Sequence, residues 1–447
     1  MSSTSFKGYL LRQSGILKNW KRQYYELAGH SLREFSDKGS PELCRIELVK
    51  PCRILTVNDI HKPYCFKIQL KIKSFLFAAE TTDDFVKWTN LLTDAIPDSE
   101  KQTQDTDAKK VNVNDFEIIK VIGRGTYGKV SLVRFMGDGK LYAMKSMSKR
   151  KLSEENNIEN VLVEKEILMK SKNPFLVHAY FCFQTEAKIF LILDYVPGGE
   201  LFHRLKEEGR FSEKRTQLYA AEILLGIDHL HKKGFIYRDI KPENILVDID
   251  GHLKITDFGF AKGNMKSSSN TTSSFCGTPE YLAPEVFKQQ PYNRSVDWWS
   301  LGALIYEMLT GSPPFYDQNS KKMYMAILFN PLDFPKFLSN DAIDLLRKLL
   351  EKDPKKRLGS GPIGANEIKV HPFFCEIDWD KVLRKDIRPS WIPPVENPTD
   401  TSHFDPQFTA ETPGVSFEDP NLVPIDAQNA FVNFTCNNND ESVIDML

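Results

Sequence analysis

Six short motifs follow one another between residues 121 and 285, and they constrain the fold more than any other feature of the sequence. In chain order they are VIGRGTYGKV, LYAMKSM, YRDIKPEN, DFG, CGTPEY and APE. Together they supply closely spaced glycines, a lysine inside an apolar run and several acidic residues. Six motifs in this order leave little room for coincidence, so we interpret them together as one site.

The glycine-rich segment alone allows three interpretations. Gly123, Gly125 and Gly128 give G-x-G-x-x-G, in which the absent side chains let backbone N–H groups approach phosphate oxygens. A dinucleotide-binding turn would need a helix directly afterwards, but KVSLVRFM (129–136) continues as a strand. A Walker A loop would need Ser or Thr where Val130 stands. The third interpretation is a hairpin over ATP phosphates, which predicts further motifs downstream.

The downstream motifs favour the hairpin. Lys145 lies in an otherwise apolar strand, where a lysine without a partner would be costly to bury, and it therefore predicts a bound anion. Glu164 follows in the helical stretch NVLVEKEIL; Glu166 is the alternative, but spacing and helical position favour Glu164. The complete set matches the motifs of protein kinases. Residues 115–374 therefore resemble a eukaryotic protein kinase of the AGC group, with a two-lobed α+β fold.

The resemblance implies a catalytic role for each matching residue. Asp239 would orient the substrate hydroxyl and accept its proton, and Lys241 would neutralise the moving phosphoryl group. Lys241 within DIKPEN also indicates serine and threonine, rather than tyrosine, as the acceptors. Thr278 would bond both side chains in the assembled site. Lys145, held by an ion pair with Glu164, would grip the α- and β-phosphates.

The resemblance also implies ATP and Mg²⁺ as cofactors. Asn244, which belongs to the catalytic set as well, and Asp257 would hold the metal, because hard cations take oxygen ligands. The expected ATP-binding residues are Gly123, Arg124, Gly125, Gly128, Val130, Lys145, Asp194, Val196 and Asp257. The competing hypothesis is an inactive kinase fold that acts as a scaffold. No catalytic residue is missing, which favours an active serine/threonine protein kinase.

Two further matches predict structural contacts. Asp297 in SVDWWSLG is expected to brace the backbone of the catalytic loop. Glu285 is expected to pair with Arg357 in KDPKKRLG. Because breaking a buried pair on one side costs ~3–5 kcal/mol, the loss of Glu285 is expected to unfold the larger lobe.

Three acidic residues match positions that bind basic substrates in this group. They are Glu200 in GGELF, Glu243 in KPEN and Glu307 in YEML. A carboxylate near the cleft favours arginine through a bidentate contact. The alternative is an ordinary acidic surface. The resemblance favours protein substrates with Arg at position −3, and also at −5 or −2.

The C-terminal segment 375–447 carries 4 Lys and Arg against 14 Asp and Glu, and it resembles the regulatory tail of AGC kinases. FVNFTC matches a hydrophobic motif, although its usual final aromatic residue is Cys436 here. The alternative is a disordered acidic tail. Upstream kinases would phosphorylate Thr412, Thr435 and the activation-loop residue Ser274. The serine and threonine residues next to Ser274 are alternative activation-loop sites. The aromatic anchors expected along this strap are Phe404, Phe408, Phe417, Phe431 and Phe434.

Residues 5–97 form a separate unit before a polar linker, 98–114. Short β-rich runs followed by one amphipathic helix predict a small β-barrel capped by its C-terminal helix. This pattern resembles a pleckstrin-homology (PH) domain, and the whole chain then resembles the protein kinase B (Akt) family. Arg12 and Lys21 lie where such domains contact phosphoinositides, but the next basic position is Gln23. Binding to a protein, or autoinhibition, is the alternative.

Charge and cysteine content limit the possible partners and the possible metal or disulfide sites of the chain. Residues 1–97 carry 15 Lys and Arg against 10 Asp and Glu, yet the chain as a whole has a net charge of −1. We therefore expect an anionic membrane surface as a partner and no nucleic acid. Seven cysteines without Cys-x-x-Cys support neither a disulfide framework nor a zinc cluster. With no signal sequence or apolar span, we expect a cytoplasmic monomer that is recruited to the plasma membrane.

Overall fold

The computed structural model describes residues 5–14, 19–48, 52–59, 62–70, 74–96, 111–263, 265, 270–416 and 418–437. The chain divides into two compact units, Met1–Lys109 and Lys110–Leu447. Most of the expected linker, part of the serine- and threonine-rich segment 267–274 and the expected anchor Phe417 lie outside the described residues. Among the described helices, none is long and apolar enough to cross a membrane.

The first unit is a seven-stranded antiparallel sheet with one helix packed on its core. The strands are β1 Ser5–Ser14, β2 Asn19–Ala28, β3 Ser31–Phe35, β4 Glu42–Glu47, β5 Arg53–Asp59, β6 Lys62–Gln69 and β7 Ser74–Ala78. Their order in the sheet is β4-β3-β2-β1-β7-β6-β5. The helix, α1, is Thr82–Ala95. This arrangement confirms the expected strand-rich domain with a C-terminal helix.

Helix α1 buries the face that its sequence predicts. Phe85, Trp88, Leu91 and Leu92 all belong to the core of this unit, because residues three and four apart share one side of a helix. Thr81 is the N-cap, and its hydroxyl accepts a hydrogen bond from the Asp84 N–H at 3.1 Å.

The smaller lobe of the second unit is a six-stranded sheet with two helices, α2 Lys149–Glu154 and α3 Ile158–Lys170. Its strands are β8 Phe116–Gly125, β9 Gly128–Phe135, β10 Leu141–Ser148, β11 Ala179–Gln184, β12 Lys188–Asp194 and β15 Cys436–Asn437. The order is β15-β11-β12-β10-β9-β8. The C-terminal tail therefore supplies one edge strand of this sheet.

The larger lobe is helical, apart from the hairpin of β13 Ile245–Val247 and β14 Leu253–Ile255. The helices of this lobe and of the tail are α4 Leu201–Glu208, α5 Glu213–Lys233, α6 Pro284–Phe287, α7 Ser295–Thr310, α8 Ser320–Phe329, α9 Asn340–Leu349, α10 Ala365–Lys369, α11 Trp379–Leu383, α12 Pro406–Thr409 and α13 Ile425–Ala430. Short 3-10 helices are Val113–Asp115, Pro242–Asn244, Pro279–Tyr281, Pro372–Phe374 and Pro420–Leu422. Every residue from 295 to 309 in α7 is buried, as expected for a helix at the centre of a lobe. The catalytic loop packs on this rigid centre.

The tail lies along both lobes instead of forming a disordered segment. In the larger lobe, the Arg204 guanidinium lies 4.5 Å from the centre of the Trp391 ring. Further along, the Tyr195 hydroxyl donates to the Asp400 carbonyl at 2.6 Å. These contacts confirm the expected extended strap over the described part of the tail.

Candidate active site

The glycine-rich segment forms the turn of a β-hairpin. Strand β8 ends at Gly125 and β9 begins at Gly128, and the two strands pair antiparallel. A strand on both sides of the turn excludes the dinucleotide-binding interpretation, which needs a helix there. A Cβ atom on Gly128 would lie 1.7 Å from the Ser146 carbonyl oxygen, whereas one on Gly125 would meet no atom within 4 Å. Gly128 is therefore required by the fold, and Gly125 faces open space.

This hairpin covers a cleft of about 590 Å³ between the two lobes. Each of the nine expected ATP-binding residues lines the cleft: Gly123, Arg124, Gly125, Gly128, Val130, Lys145, Asp194, Val196 and Asp257. Phe404 and Phe408 from the tail line it as well. Sequence reasoning missed the apolar walls formed by Ala143 and Leu246. Ala143 could have been identified from the sequence. It precedes Lys145 by two residues on β10, and residues two apart on a strand lie on the same face.

Lys145 is held at the back of the cleft by two carboxylates. Its Nζ donates to Glu164 Oε1 at 2.7 Å and lies 3.6 Å from Asp257 Oδ1. Burial alone would lower the pKa of Lys145, but the charges of Asp257 and Glu164 outweigh it and raise the pKa above its ordinary value. The Lys145 ammonium in turn lowers the pKa of Asp257. A charged lysine and an ionised Asp257 therefore face the cleft together.

Asp239 lies in a second cluster, which contacts the cleft wall at Asn244. Asn244 Nδ2 donates to Asp239 Oδ2 at 2.6 Å, and the Thr278 hydroxyl donates to Asp239 Oδ1 at 3.0 Å. Lys241 Nζ lies 3.1 Å from Asp239 Oδ2 and donates to the Thr278 hydroxyl at 2.9 Å. The contacts expected of Thr278 are present. The carboxylate is thus fixed in orientation by donors on both oxygens.

Asp297 braces the loop that carries Asp239, as predicted. Its carboxylate is fully buried and accepts from the backbone N–H groups of Tyr237 at 3.0 Å and Arg238 at 2.8 Å. His231 Nε2 lies 2.7 Å from the same carboxylate. Arg238 has a φ of 70°, a left-handed conformation that is unfavourable for a residue with a side chain. The Asp297 contacts hold the backbone in this conformation.

The oxygen groups of the cleft suit a divalent metal. Asp257 offers a carboxylate with a lowered pKa, and Asn244 offers an amide, both on the cleft wall. Hard cations prefer such oxygen ligands. Among the described residues, no cluster of three or more His, Cys, Asp or Glu forms a self-contained metal site. This pair fits a metal that completes its coordination with phosphate oxygens and water.

Three carboxylates, Glu200, Glu243 and Glu307, form an acidic surface beside the cleft, and the Tyr281 hydroxyl donates a hydrogen bond to Glu307. Burial raises the pKa of Glu200, and it raises the pKa of Glu307 to about 7. The charge of Glu243 contributes to both shifts, which places Glu243 near both residues. Glu243 Oε2 is buried and has no hydrogen-bond partner in the described part of the chain. Such a surface favours a cation from outside the chain.

The expected anchors Phe431 and Phe434 are fully buried in the core of the second unit. Lys165 on α3 donates to the Phe434 carbonyl at 2.6 Å, and Gln184 donates to the Phe431 carbonyl at 2.6 Å. The expected phosphosite Thr435 follows directly and is exposed. The hydrophobic motif therefore docks on the same helix that positions Glu164.

The remaining expected phosphosites are also exposed. Thr412 follows Glu411, whose carboxylate accepts from Arg124 of the hairpin at 2.9 Å. The Tyr292 hydroxyl links Ser274 to Arg238. It donates a hydrogen bond to the Ser274 carbonyl at 2.6 Å and accepts one from the Arg238 guanidinium at 3.1 Å. Modification of either residue would add charge beside an element of the active site.

In the first unit, the expected lipid-binding residues face each other across a strand pair. Arg12 on β1 is directly opposite Lys21 on β2. Arg12 forms an ion pair with the buried Glu34, which also accepts from the Tyr25 hydroxyl at 2.9 Å. Lys21 is exposed. Sequence reasoning missed Glu34, whose charge competes with any anion for Arg12.

Comparisons with known protein families match three consecutive regions. A PH domain matches residues 4–97, a protein kinase domain matches residues 116–374, and a protein kinase C-terminal domain matches residues 395–436. The kinase domain alone spans more than half of the chain. A protein kinase domain uses ATP and a divalent metal, which agrees with the cleft described above.

Two of three relatives match over more than nine tenths of this chain. The RAC family serine/threonine-protein kinase homolog of Dictyostelium discoideum is 42% identical over 97% of this chain and 98% of its own. The RAC serine/threonine-protein kinase of Drosophila melanogaster is 36% identical over 93% of this chain and 75% of its own. The human serine/threonine-protein kinase Sgk2 is 46% identical over 74% of this chain and 91% of its own. The chain therefore belongs to the AGC group of serine/threonine protein kinases, as a RAC (Akt)-like member with an N-terminal PH domain.

Proposed function

We propose that this kinase transfers the γ-phosphoryl group of Mg²⁺-bound ATP to serine or threonine in arginine-rich proteins. The supporting observation is that Lys145, Asp257 and Asn244 line one cleft to which both lobes contribute, and that Asn244 donates a hydrogen bond to Asp239. Phosphoryl transfer depends mainly on positioning and charge stabilisation. Asn244 and Asp257 would hold the metal, which neutralises phosphate charge. The scaffold alternative is disfavoured because the contacts expected within the catalytic set, from Lys145 to Glu164 and from Thr278 to Asp239, are present.

Each polar side chain has a distinct part in the proposed mechanism. Asp239 orients the substrate hydroxyl and takes its proton, and the donors from Thr278 and Asn244 fix its oxygens for this purpose. Lys241 lies between Asp239 and Thr278, where its ammonium balances charge on the transferring group. Lys145, held straight by Glu164, binds the phosphates that do not transfer.

The proposed preference for Arg at −3 rests on the acidic surface of Glu200, Glu243 and Glu307. His203 Nδ1 lies 3.9 Å from Glu200 Oε2, and the charges of His203 and Lys241 both act to lower the pKa of Glu200, but burial outweighs them and raises it. An arginine would relieve the repulsion among these carboxylates, and its guanidinium can bond two oxygens at once. Binding would also favour the ionised form of Glu307, whose pKa burial raises to about 7.

Replacing Arg at −3 of a peptide substrate with alanine is expected to raise KM about 10-fold or more, because a charge-assisted hydrogen bond contributes ~1.5–3 kcal/mol. Glu200→Gln is expected to raise KM for the Arg peptide and to reduce the effect of the alanine replacement. Steady-state kinetics with both peptides measure this. Glu166→Gln, which changes an equally exposed carboxylate on α3, is the control. A wild-type enzyme that is indifferent to the −3 residue contradicts the proposal.

We also propose that activation requires phosphate at Ser274 and Thr435, with Thr412 as a third site. A phosphate on Ser274 would reach the Arg238 network and order the activation loop. One such charge-assisted contact is worth ~1.5–3 kcal/mol, so Ser274→Ala is expected to lower kcat roughly 10- to 100-fold after treatment with an activating kinase. The adjacent exposed Ser273 provides the matched control, Ser273→Ala. Full activity of Ser274→Ala would refute the assignment.

The proposed PH segment, 5–97, would bring the kinase to the plasma membrane by binding phosphoinositides. Two observations support this membrane function. Arg12 and Lys21 lie opposite each other on adjacent strands, and the segment carries a net basic charge. Glu34 and Gln23 oppose this role, and a protein ligand is the alternative second function. An anionic headgroup would have to compete with Glu34 for Arg12.

Vesicle sedimentation against a panel of phosphoinositides tests this membrane function. Wild type is expected to bind anionic vesicles, and Arg12→Ala to bind several-fold more weakly, because one basic residue near the surface contributes ~1 kcal/mol. Lys7→Ala, which removes an exposed cation from the same strand, is the control. Equal binding of wild type to neutral and anionic vesicles would favour the protein ligand.

A further inference from the structure

The tail strand places two cysteines opposite each other. Strand β15 pairs antiparallel with β11, and Cys436 is the direct partner of Cys182 in that register. Directly opposite residues of an antiparallel pair project their side chains from the same face of the sheet. The two thiols therefore meet across the junction between the tail and the smaller lobe.

The spacing of this pair suits a disulfide. Opposed residues in antiparallel strands have Cα atoms ~4.5 or ~5.5 Å apart, and disulfides span Cα separations of ~4.4–6.8 Å. Neither strand would have to shift along the other to form the bond. Both residues also pack on the same hydrophobic core, which limits their side-chain freedom.

The environments of the two thiols differ in a way that favours stepwise oxidation. Cys436 is partly exposed, whereas Cys182 is fully buried. A hydrogen bond from the Cys182 thiol, together with the Lys165 ammonium, lowers the pKa of Cys436 to about 6. The thiolate is the reactive form of cysteine, so Cys436, which has the lowered pKa and is partly exposed, is the more nucleophilic of the two. Cys182 keeps its proton and is placed to react second.

We propose that Cys182 and Cys436 form a reversible disulfide that fastens the tail to the smaller lobe when the protein meets hydrogen peroxide. The Cys436 thiolate attacks the peroxide oxygen, and with uptake of one proton it becomes a sulfenic acid and releases water. The Cys182 sulfur then attacks the sulfenic sulfur, and its proton leaves with the hydroxide as a second water. Overall, hydrogen peroxide takes two electrons from two thiols and gives one disulfide and two waters.

The bond would fix the segment that carries the buried hydrophobic motif. Phe431 and Phe434 lie just before Cys436, and Lys165 and Gln184 already hold their backbone carbonyls. A covalent link at Cys436 would keep this segment docked without depending on phosphate at Thr435. This modification concerns the tail junction alone, and it does not depend on the identity of the kinase substrate.

Peptide mapping of the full chain tests the proposal. After treatment with hydrogen peroxide, digestion without reducing agent is expected to give a linked pair of peptides containing Cys182 and Cys436. Titration is expected to show the loss of two thiols per chain, which dithiothreitol restores. Cys375→Ser, which removes an exposed cysteine outside the pair, should leave the linked peptide unchanged.

The variants Cys436→Ser and Cys182→Ala are expected to abolish the linked peptide. In Cys182→Ala, labelling with a sulfenic-acid reagent should detect Cys436 as an accumulating sulfenic acid, because its resolving partner is absent. Oxidation of wild type that stops at an unlinked Cys436, or that links Cys436 to a different cysteine, would overturn the proposal. Peptide mapping of the wild type tests the disulfide by itself, so the test does not depend on the stability of the Cys182→Ala variant.

Discussion

Asp239→Asn is expected to lower kcat by roughly 10²–10⁴-fold, the contribution typical of a positioned general base. The amide keeps the shape of the carboxylate but cannot take the proton of the substrate hydroxyl. Asn244 and Lys241 both approach Oδ2 of Asp239 as donors. An amide NH₂ group at that position would face two donors and could accept a hydrogen bond from neither. Single-turnover and steady-state phosphorylation of an Arg-rich peptide measure the loss.

A matched control separates this chemical effect from a general effect on the fold. Asp228 on α5 is nearly as buried as Asp239, and it forms ion pairs with Lys369 at 2.9 Å and Lys232 at 3.1 Å. Asp228→Asn removes the same charge from the same lobe outside the cleft, and kcat is expected to stay close to that of wild type. An Asp239→Asn enzyme with near-normal kcat would remove Asp239 from its proposed role.

Glu285→Ala is expected to destabilise the kinase unit by ~3–5 kcal/mol, which corresponds to a fall in Tm on the order of 10 °C. Arg357 is fully buried and donates to both oxygens of Glu285, at 2.7 and 2.9 Å. This pairing confirms the contact predicted from sequence. Removal of Glu285 leaves the guanidinium without its counter-charge in a site that water does not reach.

Thermal and urea unfolding of single variants measure the effect on the kinase unit. Glu117→Ala is the control, because Glu117 pairs with Arg134 on the surface of the same unit, and exposed pairs contribute only ~0–1 kcal/mol. Glu285→Gln keeps a hydrogen-bond acceptor and should fall between the two. Equal Tm values for Glu285→Ala and wild type would show that the Arg357 charge is compensated elsewhere.

The parts of the site that follow from local chemistry could be predicted from the sequence. The glycine spacing predicts the hairpin turn, and the cost of burying a lone lysine predicts an anion beside Lys145; the pairing of Lys145 with Glu164 was implied by the kinase resemblance. The ion pair of Arg12 with Glu34 could not be predicted, because it depends on the tertiary arrangement of two strands that are distant in sequence. The pairing of β15 with β11 was missed for the same reason: a two-residue strand has no periodicity to detect.

The three glycines of the glycine-rich turn are constrained for two different physical reasons. At position 128 any side chain would collide with the Ser146 carbonyl, so the fold itself excludes every other residue there. At position 125 the space is open, and at position 123 a Cβ would only touch Val130 at 3.9 Å. Selection at those two positions would act through the bound phosphates alone. In a descendant that had lost nucleotide binding, the first two glycines would be free to drift, whereas Gly128 would remain.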